Sequence, residues 1–135
     1  MTRFVLDTNA CIEIIRKRSE RVLSRLRKCA VGSVGISSLT LAELYYGVAR
    51  SAHPERNLVA LTQFCAPLEI LTFDGHAASV YGRVRASLEE SGFPAGPLDT
   101  LIAAHALSLE AVLVTDNERE FRHVNGLHVE NWLRR

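Results

Sequence analysis

Val5-Leu6-Asp7-Thr8 is the stretch that decides the fold. From Arg3 to Leu6 the chain is a short apolar, partly β-branched run with no room for a helix. It stops at a carboxylate followed by Thr8, Asn9 and a helical pattern. Such a run reads as a buried parallel strand ending in an acid. Ligands of open α/β sheets bind in the crevice at the carboxyl ends of the strands, so this reading puts Asp7 on the functional edge. Further along, Ala111-Val112-Leu113-Val114-Thr115-Asp116 repeats the pattern, an apolar strand that ends in a hydroxyl and a carboxylate.

Working outward from Asp7, the periodicity predicts alternating helices and strands. Ala10 to Lys17 reads as a helix with Asn9 as its N-cap, and Ser19 starts a second helix that runs to about Cys29. Val34 to Ser37 reads as a strand, followed by a helix from Leu41 to about Arg50. His53-Pro54 opens another helix with Leu58, Leu61 and Phe64 on its buried side. Leu68 to Phe73 is a third strand, and Asp74 caps a long helix through Leu88. Gly92 to Pro97 is the clearest loop. Leu98 to Leu107 forms a nearly all-apolar helix that must pack deeply, and Glu118 to Phe121 a short helical turn. Leu127 to Glu130 is the last strand, with Trp132 and Leu133 tucked against the domain. The expected class is α/β: a mostly parallel central sheet of about five strands flanked by helices, forming one domain over residues 1–135.

Composition narrows the function. At 135 residues and 47% hydrophobic, the chain holds one real core and little else. A net charge of +1 does not announce a nucleic-acid binder, although a local basic patch still could attract one. The most basic face carries Arg21, Arg25 and Lys28 at helical spacing, either as a solvated surface or as a seat for a phosphate backbone. Cys11, Cys29 and Cys65 are odd in number and lack metal-type spacing, which suits reduced, buried thiols in a cytoplasmic protein. No stretch approaches membrane-spanning length.

The chemistry lies in the acids. Of only four aspartates, Asp7 and Asp116 end strands and Asp99 starts the apolar helix, while Glu43 follows another strand. Each has a plain structural alternative. Glu43 fits a capping box with Thr40, Asp99 complements a helix dipole, Asp116 caps a turn, and Glu120 is a solvated helix charge. His105 reads as a hydrogen-bonded core or rim residue, since no other histidine stands at helical spacing from it. If the carboxylates do converge, their repulsion demands a cation. An all-oxygen set favours Mg²⁺ or Mn²⁺, which can activate a water and stabilise charge on a phosphodiester. An aspartyl phosphatase would want an acid where Asn9 stands, and a receiver domain a late lysine, whereas Lys17 and Lys28 are the only lysines.

The residues also resemble a known family. Val5-Leu6-Asp7-Thr8-Asn9, Ser37-Ser38 with Ala42-Glu43-Leu44 and Gly47, Gly96-Pro97-Leu98-Asp99 into Ile102-Ala103-Ala104-His105-Ala106, and Val114-Thr115-Asp116-Asn117 with Phe121 look like a PIN domain. The ending, Asn125-Gly126 through Leu127 to Val129-Glu130-Asn131-Trp132, is similar too, and the whole chain is most like the VapC-type toxins of toxin–antitoxin pairs. The resemblance implies a three-layer domain and a Mg²⁺-dependent endoribonuclease for single-stranded RNA, dimeric and inhibited by a VapB-like antitoxin. It makes Asp7, Glu43, Asp99 and Asp116 the acidic ligands and water-activating groups, with Asn9 and Thr115 supporting them. Many relatives carry asparagine where Asp116 stands and an acid where Glu120 stands, so the fourth role could fall to either; Asp116 is the choice here and Glu120 the alternative. The competing class is an inert module whose acidic pocket receives a basic partner peptide.

Overall fold

The computed structural model describes residues 1–133. Strands β1 (Phe4–Leu6), β2 (Val34–Ser37), β3 (Glu69–Leu71), β4 (Val112–Val114) and β5 (Val129–Glu130) form one sheet in the order β3-β2-β1-β4-β5, and every pairing is parallel. Helices α1 (Thr8–Lys17), α2 (Glu20–Lys28), α3 (Ser38–Arg50), α4 (Pro54–Cys65), α5 (Gly75–Ser91), α6 (Pro97–Ser108) and α7 (Glu118–Phe121) connect them.

Two apolar clusters sandwich the sheet. Val5 and Leu113 face one cluster, with Val80, Val84 and Leu88 of α5 and Ile102, Ala103 and Ala106 of α6. Leu6, Ile36 and Val114 face the other, with Ile14 of α1, Val22 of α2, Leu44 of α3 and Leu61 of α4. The alternation follows from the two-residue period of a strand and gives three layers. Burial on both faces is what turns β1 and β4 into continuous apolar runs rather than alternating ones. At β2 a side chain would not fit: a Cβ on Gly35 would meet the Glu69 carbonyl oxygen at 2.8 Å.

Several boundaries differ from the sequence reading. Asp7, not Asn9, caps α1: its Oδ1 accepts from the Ala10 amide at 2.7 Å, while Asn9 lies exposed in the first turn. Helix α3 starts at Ser38 because Ser37 Oγ accepts from the Leu39 amide at 3.1 Å. Thr40 is therefore inside the helix and forms no capping box with Glu43. Leu58 is 43% exposed, since the side chains of α4 that reach the core are Leu61, Phe64 and Cys65 in its later turns. Cys11 is buried as expected, whereas Cys29 and Cys65 are only partly so; all three are free. Trp132 is buried and packs edge-on to Phe4 at 5.1 Å, closing the C-terminal end onto β1.

Candidate functional site

From β1 the sheet continues to β2 on one side and to β4 on the other, so the crevice beyond β1 and β4 is its topological switch point, where such sheets bind ligands. Asp7 and Thr115 stand immediately past the ends of these two strands. Continuing the alternation, Asp7 follows Val5 and Thr115 follows Leu113 onto the face covered by α6, whose first turn holds Asp99. The Asp7 amide still donates to the Val114 carbonyl at 3.0 Å, which keeps the acid in register with β4.

Hydrogen bonds orient this set. Thr115 is fully buried, and its Oγ1 accepts from the Asn117 amide at 2.9 Å, leaving the hydroxyl proton for the Asp7 carboxylate. Glu120 on α7 accepts from the Asn117 side-chain amide at 2.7 Å and from the Gly96 amide at 3.2 Å. Those bonds bring it against Asp99, with which it forms a carboxyl–carboxylate hydrogen bond.

The electrostatics are those of acids crowded without a counter-charge. Asp7 is 2% exposed, and burial raises its carboxyl above the usual range, with Asp116 and Glu120 adding to the rise. Asp99 is pushed from an ordinary 3.8 to about 6, first by burial, then by the charge and hydrogen bond of Glu120, then by Asp7. The ion pairs found among the described residues lie elsewhere.

The structure thus brings Asp7, Asp99, Glu120 and Thr115 together and sets Asp116 beside them. Asp116 is exposed and reaches the cluster through its charge on Asp7, while Glu120 is the acid that touches Asp99. Glu43 is exposed in the second turn of α3, and no side-chain bond joins it to the other acids among the described residues. Asn9 is likewise exposed. The basic face of α2 is partly committed: Arg25 pairs with Glu130 at 2.8 Å and lies over Trp132 at 4.6 Å, Arg21 donates to the Leu133 carbonyl at 2.9 Å, and Lys28 is exposed.

Among the described residues no three acid, histidine or cysteine side chains stand close enough to grip an ion as placed. The donor chemistry nevertheless fits a hard divalent cation. All the groups are oxygens, and carboxylates crowded in this way favour a positive charge between them. Two polar contacts that the sequence did not reveal hold the rim together. Buried His105 of α6 meets Ser37 Oγ through Nδ1 at 2.9 Å, and Thr8 Oγ1 donates to Thr40 Oγ1 at 3.2 Å, joining α1 to α3. The hydroxyls at strand ends were the only signal for either.

A parallel sheet with a buried acid at its switch point, backed by an apolar helix that starts with another acid, defines an α/β domain with an acidic carboxyl edge. The chain belongs to the PIN-domain family, whose sequence profile matches residues 4–127. Within that family it is similar along its full length to the VapC group. It is 43% identical over 132 residues to the tRNA(fMet)-specific endonuclease VapC of Shigella flexneri, covering 98% of this chain and 99% of that one. It is 41% identical to ribonuclease VapC2 of Haemophilus influenzae, covering 98% and 100%. Among solved structures, the DNA-bound VapBC of Salmonella typhimurium superposes with a TM-score of 0.94 at 43% identity, covering 98% and 99%. VapBC2 of Rickettsia felis, bound to a promoter DNA fragment, gives 0.93 at 39%, covering 97% and 99%.

Proposed function

We propose that this protein is a Mg²⁺-dependent endoribonuclease that cuts single-stranded RNA with a metal-activated water, as the toxin of a type II toxin–antitoxin pair. The observation that carries the chemistry is the pair of raised carboxyls, Asp7 and Asp99, at the switch point with Glu120 beside them, and no cationic side chain among the influences on either. Full-length likeness to proteins named as VapC ribonucleases supports the RNA substrate. Likeness to VapBC complexes supports a VapB-like antitoxin as partner, and we take the working form to be a homodimer in the cytoplasm.

Asp7 and Asp99 would hold Mg²⁺, or Mn²⁺ in its place, with Glu120 and Asp116 as the flanking carboxylates and Glu43 approaching from α3. When bound, the ion supplies an activated water and neutralises charge on the phosphodiester. Thr115 holds the Asp7 carboxylate through its hydroxyl, and the Ala10 amide fixes the other side. Asn117 and Gly96 hold Glu120 in the same way. His105 and Ser37 tie α6, the helix that carries Asp99, to the start of α3.

The test is digestion of total cellular RNA with end mapping, with and without chelator, comparing wild type with Asp7→Asn. Cleavage that needs Mg²⁺ or Mn²⁺ and vanishes in the folded variant is the expected result. Binding of metal and RNA without cleavage would instead favour the inert module.

A further inference from the structure

Next to the acids, two aromatic rings are stacked in the open. Phe93 and His123 lie with ring centroids 3.8 Å apart and planes 6° from parallel, yet Phe93 is 50% exposed. Both rings ride on segments anchored to Glu120. His123 follows Glu120 by three residues in a chain that keeps turning, with the Arg122 amide bonded to the Glu118 carbonyl and the Val124 amide to the Phe121 carbonyl. One helical turn advances about 5 Å, so His123 sits roughly that far along from the acid. Phe93 precedes Gly96, whose amide donates to Glu120 Oε1 at 3.2 Å. On its other side, Gly92 turns the chain at φ 80°, and the Phe93 amide bonds back to the Leu88 carbonyl at 2.9 Å. The Phe93 backbone is therefore held at both ends while the residue stays half exposed.

We propose that the Phe93–His123 pair is a stacking platform for a nucleobase of the RNA strand, one step away from the carboxylates. This rests on the ribonuclease reading above. A ring needed only to pin the loop would be buried; here one face is spent on His123 and the residue still stays half exposed. On the His123 side lies a cavity of about 200 Å³ whose lining includes Arg83, Ser87, Leu107, His123, Val124 and Asn125. It is smaller than the roughly 300 Å³ at the lower end of small-molecule pockets, a size for a single base or sugar. Its polar groups suit a base edge or ribose, and exposed Arg119 and Arg122 flank the same turn with charge for the phosphates. Single strands are held in this manner because every base offers a π-face to an aromatic side chain.

The experiment uses the full chain carrying Asp7→Asn, so that RNA is bound without being cut, and short single-stranded oligoribonucleotides with 2-aminopurine at successive positions. Quenching at one or two positions is expected. Phe93→Leu should abolish the quenching and weaken binding roughly 5- to 150-fold, with Phe93→Tyr restoring both. In the cutting enzyme, Phe93→Leu should raise KM far more than it lowers kcat. Affinity and quenching unchanged in Phe93→Leu would overturn the platform while leaving the ribonuclease reading intact. A variant that changes oligomeric state would assign the ring to a second copy of the chain and would overturn it as well. If the Asp7→Asn protein binds no RNA at all, the ribonuclease reading fails and the platform falls with it.

Discussion

Glu120→Gln should make the metal-free protein more stable at neutral pH while damaging its site. In the native state Asp99 titrates at about 6 against an ordinary 3.8. Below 3.8 both folded and unfolded chains hold that proton, and stability is indifferent to it. Between 3.8 and 6 the folded chain holds the proton and the unfolded one has lost it, so raising the pH costs stability. Above 6 the whole penalty is present. The gap of about two pH units corresponds at most to about 3 kcal/mol. Burial, which the substitution leaves in place, is the first cause of the rise; Glu120 supplies the next two. Solvent at the partly open rim screens its share further, leaving a gain of about 1 kcal/mol. The substituted amide would keep one oxygen to accept from Asn117 and would lose the longer, exposed Gly96 bond, which trims this gain without reversing it. Urea unfolding in chelator at pH 7.5 should show the gain, and at pH 4 it should disappear. Asp116→Asn, whose charge reaches Asp7 but is absent from the influences on Asp99, should give less than half of it. A Glu120→Gln protein that is less stable than wild type at pH 7.5, or whose gain persists unchanged at pH 4, would refute Glu120 as a source of the Asp99 rise.

Three further outcomes are expected. Asp7→Asn should fold normally, because asparagine caps a helix as well as aspartate, and lose roughly 100-fold or more in RNA cleavage; Asp7→Ala should also lose about 1 kcal/mol in unfolding free energy through the missing cap on Ala10. His105 is 2% exposed and burial lowers its pKa below 6.5, so it opposes Asp99: its contribution is whole above 6.5 and is lost as the pH falls toward the depressed native value. His105→Gln should flatten that acid-side loss between pH 7 and 5 in urea titrations, at a cost of about 1 kcal/mol from the broken Ser37 contact. Mg²⁺ should raise the melting temperature of wild type and release protons in an unbuffered titration at pH 6, and both signals should shrink in Asp99→Asn.

The amino-acid sequence by itself determined the layers and which strand ends carry acids. A parallel strand buried on both faces must be an unbroken apolar run, so Val5-Leu6 and Val112-Leu113-Val114 declare themselves, and the acids that follow them stand at the carboxyl edge of the sheet. Asp74 as a helix cap, His105 as a core residue and Trp132 as the closing side chain were legible for the same reason: each follows from its near neighbours and its polarity. Only the tertiary structure decided which groups meet. Choosing between Asp116 and Glu120 as the neighbour of Asp99 depended on where Gly96 and Asn117 hold α7, a contact spanning two loops. Asp7 capping its own helix, Arg25 turning away toward Glu130, and Phe93 lying flat on His123 depended on strand register and loop path in the same way. Periodicity records which face of an element is apolar. It does not record how far along two elements slide before they lock, and a hydrogen bond or a ring stack is made or lost within an ångström of that slide.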